Sequence, residues 1–323
     1  QYLMVFYIFT SLITTERDLF KFINSIFIFS IFNKLFLIIV KGTSLLKPLL
    51  DEYTAYTVRE GNIGALGPPV SAAGYLAIFF TLGLGMYYYT SKKRYLVYLI
   101  FIFFEIINTF TRGGVFVLIL ALIPLLFYGG KRIFKILLML LLITIPLWGI
   151  IWEYITFRGF TINVFEEENF IFRYILIYLY FKNYYSFSLV GNGLIKSTRI
   201  DYTDFYSVPL HNAYFEVLDT SGIISFLIII IISFIAYKYL YKYFRFLFKS
   251  NIKYSYLSVI TLYLYTAFIQ WVVYANTTST SILYYYPYEG TLFFWILCFS
   301  PIIINQISKN YNLSTKYPTY KHI

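Results

Sequence analysis

His211, in Pro209-Leu210-His211-Asn212-Ala213-Tyr214, shares the histidine inventory of this chain only with His322 at the tail. Imidazole titrates nearer neutrality than any other side chain, which suits His211 to take a proton from a hydroxyl, with Asn212 and Tyr214 as supporting polar groups beside it. Arg112, in Asn108-Thr109-Phe110-Thr111-Arg112-Gly113-Gly114, brings different chemistry. A guanidinium holds phosphate oxygens as a two-pronged fork. Gly113 and Gly114 let the backbone turn sharply and leave the first amides of the following helix facing outward, so arginine and amides together read as an anion seat. Two bland alternatives stay open here: Arg112 snorkels to lipid headgroups, or it pairs with Glu105, which sits seven residues earlier on the same helical face.

Other charged groups carry weaker signals. Arg173, in Phe172-Arg173-Tyr174, is the one charge of an apolar stretch from Phe170 to Phe181, where a basic residue serves a ligand or simply meets lipid phosphates. Arg59, in Val58-Arg59-Glu60-Gly61-Asn62, is a second anion candidate or a salt-bridged loop residue. Glu105 lies in an apolar run, where an ionised carboxylate is costly, so protonation or a neighbouring arginine must neutralise it. Glu166-Glu167-Glu168 reads as a solvated acidic run with no further metal ligand spaced beside it. Asp201 and Asp204 flank the histidine region and could orient His211 or replace it as base. Tyr284-Tyr285-Tyr286 reads as interfacial belt before sugar platform. Cys298 stands alone in an apolar run and offers neither a disulfide framework nor a metal pair.

The elements that position these residues follow from composition. With 59% hydrophobic and 23% aromatic residues, 13% charged and a mean hydropathy of +0.69, the sequence has the makeup of a membrane protein rather than a water-soluble domain. Crossing the hydrocarbon takes about 20 apolar residues, and in lipid the backbone must close its own hydrogen bonds, so each long run is expected to be a helix. The predicted fold is all-α, a polytopic bundle of about nine spans: 1–14, 20–40, 69–89, 95–111, 113–129, 133–152, 222–241, 254–274 and 289–308. A short first run opening on Gln1 leads us to expect a truncated front end. No repeat or linker divides the chain, so residues 1–323 form one integral membrane domain.

Lys92-Lys93-Arg94, Lys131-Arg132, the series Lys238, Lys242, Arg245, Lys249 and Lys253, and the tail lysines fall on one side of this topology, which is thereby cytoplasmic. The net charge of +11 is accounted for by topology, and nucleic-acid binding has nothing left to explain. On the opposite side lie 42–68, the basic-residue-free connection 275–288, and the long loop 153–221. Loops of such length are usually functional. Within 153–221, Phe170–Phe181 is too short to span and is expected to lie along the membrane surface, followed by a turn at Gly191-Asn192-Gly193.

Taken in order, Thr109-Phe110-Thr111-Arg112-Gly113-Gly114, the Gly191-Asn192-Gly193 turn and His211-Asn212 with Gly222 eleven residues after the histidine resemble the bacterial O-antigen ligase and O-antigen polymerase superfamily over roughly 58–235. The resemblance implies a GT-C-like membrane glycosyltransferase, one large extracytoplasmic loop with short helices, and a site on the periplasmic face of the bacterial inner membrane. Its donor would be an undecaprenyl-pyrophosphate-linked oligosaccharide. Carried over, the family's first arginine matches Arg112, its second matches Arg173 with Arg158 as rival, and its histidine matches His211, the catalytic base. Arg59 would be a further donor contact. In this chemistry arginines neutralise the diphosphate, so neither metal nor cofactor is required, and a single displacement inverts the anomeric centre. Acceptors differ within the family: a second repeat unit for polymerases of O-antigen or capsular polysaccharide, the lipid A core for ligases. The ligase pattern Gly-x-x-Gly-Thr is Gly222-Ile223-Ile224-Ser225-Phe226 here, which tilts the reading to polymerase. A transporter or flippase is the alternative of another class; such proteins tend to show internal repeats and paired broken helices, and this sequence shows neither.

Overall fold

The computed structural model describes residues 2–41, 69–108, 117–119, 134–135, 138, 168–184, 189–191, 200–203, 206–208, 210, 212–249, 256–276 and 289–310. In chain order the helices are α1 (Tyr2–Leu12), α2 (Glu16–Lys41), α3 (Pro69–Thr90), α4 (Lys93–Asn108), α5 (Glu168–Leu179), α6 (Ala213–Lys249), α7 (Tyr256–Ala275) and α8 (Glu289–Asn310). A wider π turn, Tyr180–Tyr184, continues α5. Between α5 and α6, strands β1 (Ile200–Thr203) and β2 (Tyr206–Val208) pair antiparallel, with Asp201 opposite Ser207.

Helices occupy seven of the nine expected spans, while 113–129 and 133–152 fall almost wholly outside the described residues. Two described helices are long and apolar enough to cross a membrane by length and composition, Ala213–Leu247 and Tyr256–Ala275. The helix of the long loop was expected as Phe170–Phe181 and is found as α5 with its π turn. One boundary needs correction. The transition from the long loop 153–221 to the next span was expected at 221/222, yet α6 begins at Ala213 and runs through Gly222, which interrupts it with φ 79° and ψ 179°. Hydropathy saw only the apolar half; the polar turn before Gly222 is helical because Asn212 caps it.

Local chemistry explains the other ends. Thr15 opens α2: its hydroxyl receives the Asp18 amide at 3.2 Å and donates to Asp18 Oδ2 at 2.8 Å, while the Thr15 amide donates to the same oxygen at 3.1 Å. The reciprocal bonds satisfy amides that the first turn leaves without partners, and the Thr15 hydroxyl, opposed by slight desolvation, holds the Asp18 carboxyl below its ordinary value. Pro69 starts α3, where its missing N–H costs nothing. Ser91, at φ 57°, ends that helix with its amide on Tyr87 O at 2.8 Å, and α4 turns back at once. Inside α8, Pro301 cannot bond Leu297 O, and the Ser300 hydroxyl takes that carbonyl at 2.7 Å.

Helix α7 is the centre of the bundle, buried along nearly its whole length against α3, α6 and α8. Its pairing with α3 is antiparallel and uses glycine as a notch. The Tyr274 ring lies on Gly74 and the Tyr263 ring on Gly85, so that a Cβ at either glycine would collide with the ring. Both pairs are eleven residues apart on their own helices, which is three turns, and between them Gln270 Nε2 donates to Ala77 O at 3.2 Å. Close backbone approach of this kind is how helices associate where apolar burial gives little drive.

The same contacts fix the ends of the bundle. Tyr256, first in α7, meets the Tyr89 ring at 4.9 Å and Met86 Sδ at 3.8 Å near the end of α3. At the other end, Asn212 Nδ2 before α6 donates to Asn276 O at 3.3 Å after α7, near Gly74 of α3. The end with Tyr256 therefore carries Lys92, Lys93 and Arg94, and the end with Asn212 receives the connection that follows α7 and the loop that precedes α6. Outside, α6 beyond its break presents Ile224, Leu227, Ile228, Ile231, Phe234 and Ile235 in the open, with Phe234 63% exposed.

Candidate functional site

The site region is built on the first nine residues of α6, Ala213–Ser221. Asn212 Oδ1 accepts the amides of Tyr214 and Phe215, both at 3.1 Å, and Asn212 O accepts that of Glu216 at 2.9 Å. Its amide nitrogen is spent on Asn276, so one side chain sets both the start of α6 and its seat on α7. Asn212→Ala is expected to cost about 0.5–2 kcal/mol of stability through loss of the cap, read as a lower thermal midpoint of the detergent-solubilised protein; an unchanged midpoint would show that the cap is idle.

Tyr214 turns inward. Its ring is buried and meets Trp271 edge-on at 6.4 Å and 82°, and Trp271 in turn leans on Phe294 at 4.6 Å. Its place is the bundle core beneath the site, where it supports the helix start. Glu105 is also buried, about one turn before α4 ends at Asn108. Helix α4 runs back from α3 and ends at Asn108, four residues before Arg112 in sequence.

A second layer comes from the loop. Leu176 and Tyr180 on α5 and its π turn pack with Leu210, and Leu179 and Phe215 close around them. Phe181 meets Phe215 edge-on at 5.4 Å and 86°, and Phe215 stacks with Phe226 at 6.4 Å across the Gly222 break. The buried Tyr180 hydroxyl donates to Asp219 Oδ1 at 3.3 Å. Beside this, the Leu189–Gly191 segment lies directly on the backbone of the break. A Cβ on Gly191 would come within 2.6 Å of Ser221 N, and one on Gly222 within 2.6 Å of Gly191 N. Both glycines have φ near +75° (73° and 79°), a region that only glycine adopts freely.

Of the residues singled out by sequence, Asn212, Tyr214 and Glu105 are described in full, and Arg173 by its backbone within α5. His211, Arg112, Arg59 and Arg158 lie outside the described residues, as do Asp204, Glu166, Glu167 and Tyr284–Tyr286. The structure brings together α5, which carries Arg173, and the helix start that follows His211 by two residues. Sequence reasoning passed over two carboxylates of this region, Glu216 at 8% and Asp219 at 2% exposure. Their signal was available: acids three residues apart lie on one helical face, and a pair in the turn after a His-Asn step is costly enough to need a reason. Among the described residues no three His, Cys, Asp or Glu side chains are grouped to hold a metal ion.

In comparisons with known proteins, no family model, no curated protein and no solved structure matches the chain.

Proposed function

We propose that this chain is a polytopic membrane glycosyltransferase that elongates a lipid-linked polysaccharide at the outer face of the bacterial cytoplasmic membrane. The donor is a glycan on undecaprenyl pyrophosphate and the acceptor a hydroxyl of another lipid-linked repeat unit. The observation that carries the reading is the meeting of α5 with the polar start of α6, at the end of the bundle opposite Lys92-Lys93-Arg94. Sequence elements far apart thus stand together: the loop arginine helix, the Gly191 turn, the Gly222 break and the residue after His211.

Membrane insertion is supported by α6 itself. A run of bare Ile, Leu and Phe over several turns is an aggregation surface in water and an ordinary lipid contact in a bilayer. With basic clusters cytoplasmic, the start of α6 faces outward, and α5 lies where its exposed Tyr174 and Tyr178 suit the headgroup level.

The chemistry is one displacement. The acceptor oxygen attacks the anomeric carbon from the side opposite the diphosphate, its proton passes to the His211 imidazole, and the glycosidic bond to the diphosphate breaks with its electron pair on the leaving oxygen. Configuration at the anomeric carbon inverts. Arg112 and Arg173 hold the oxygens on which charge accumulates, in a setting where water screens them poorly. Arg59 adds a third positive group.

The test supplies the purified protein with undecaprenyl-pyrophosphate-linked repeat units, with and without lipid A core, and resolves products by length. A ladder is the expected result. A single shifted band on the core makes the protein a ligase, and intact donor carried across proteoliposomes without turnover makes it a transporter; either overturns the polymerase assignment.

A further inference from the structure

Why is α6 broken at Gly222, and why does the loop touch it by backbone? Ordinary loop docking uses side chains, which tolerate substitution. Here the two segments approach until neither Gly191 nor Gly222 has room for a methyl group, and each adopts a positive φ. The contact joins residues 31 positions apart in sequence. It is reinforced a turn away by the Tyr180 hydroxyl on Asp219 and by the Leu176, Tyr180 and Leu210 cluster. A helix interruption that merely relieved strain would need no partner, and a loop that merely covered the bundle would need no glycine.

We infer that Gly191, Gly222 and the Tyr180–Asp219 hydrogen bond form a latch that holds α5 and the first segment of α6 as one rigid unit, so that the arginine-bearing helix and the helix start beside His211 keep a fixed separation. The inference rests on the glycosyltransferase reading for its catalytic consequence, though the docking itself does not. These are positioning residues. In a displacement that needs the diphosphate grip and the proton acceptor at set places, a shift of about 1 Å costs on the order of 10²-fold in rate. Asp219 acts here as the acceptor for the Tyr180 hydroxyl.

The experiment compares the full chain in nanodiscs with Gly222→Ala, Gly191→Ala, the double variant, Tyr180→Phe, Asp219→Asn and Asp219→Ala. Two readouts are taken: hydrogen–deuterium exchange of peptides covering 180–191 and 256–275, and kcat and KM for the lipid-linked donor. Gly222→Ala and Gly191→Ala are expected to raise exchange in 180–191 by at least about tenfold with 256–275 unchanged, and to lower kcat by about 10²-fold with KM within about threefold. The double variant is expected to be no worse than the worse single one, since both methyl groups break one contact. Tyr180→Phe leaves the backbone alone, so it tests the latch even if the alanine variants fail to fold; it is expected to raise the same exchange and lower kcat several-fold, as Asp219→Ala does. Asp219→Asn, which keeps an acceptor oxygen, retains at least about a third of kcat.

Exchange in 180–191 as in the parent for all variants would overturn the latch, as would faster exchange with kcat untouched, or an Asp219→Asn variant as poor as Asp219→Ala. A parent protein that never turns over the donor sinks the glycosyltransferase reading alone, and the exchange data then still decide whether the loop is docked.

Discussion

His211→Ala is expected to abolish glycan chain formation while leaving the protein inserted and folded. A positioned base contributes roughly 10²–10⁴-fold to a displacement by a hydroxyl, and the other histidine, His322, lies at the tail. Structural contacts are made by its two neighbours: Asn212 provides the cap of α6, and Leu210 packs against α5. Loss of chemistry should therefore separate from loss of structure. The measurement is product length per unit of purified protein, paired with the thermal midpoint. A variant that makes full-length glycan would remove His211 from the reaction, and one that fails to insert would give it a structural role instead.

Arg112→Lys, which preserves charge, is the second large effect. Lysine offers a point charge where arginine offers a planar fork, so if the diphosphate is held by two parallel hydrogen bonds the exchange forfeits one of them and the orientation. Loss of a preorganised donor at a developing oxyanion costs about 10²–10³-fold in kcat. The expected result is a drop of that order with the donor still bound. Activity within twofold of the parent would mean that Arg112 works by net charge alone, the behaviour of a side chain reaching lipid headgroups.

Much of the bundle was legible because its determinants are local. An apolar run of the right length must be a helix in lipid, and α1 to α4, α7 and α8 start and stop within a few residues of the expected spans. The start of α6 was misread because hydropathy weighs side chains and ignores caps. Glu216, Asp219 and Thr220 look like loop residues until Asn212 is seen to accept the Tyr214 and Phe215 amides. The hairpin Ile200–Thr203 with Tyr206–Val208 was missed too, since strands of four and three residues leave no periodicity to read. Within the site, residue types were legible and distances were not. Gly191 could be assigned to a turn and Gly222 to a motif, but that one fills the other's missing Cβ is a fact of tertiary structure. Likewise Tyr180 was one aromatic among 36 tyrosines, and nothing in its neighbours announces Asp219 as its acceptor.

We propose that Arg112, Arg173 and His211 line one outward-facing hollow that grips a diphosphate headgroup. Its most direct measurement is an experimental structure of the full chain with undecaprenyl pyrophosphate bound. The diphosphate oxygens are expected within about 2.7–2.9 Å of both guanidinium groups, with the imidazole in the same cavity and facing the acceptor side. A diphosphate seated elsewhere, or an imidazole turned away from both arginines with no cavity between them, would contradict it.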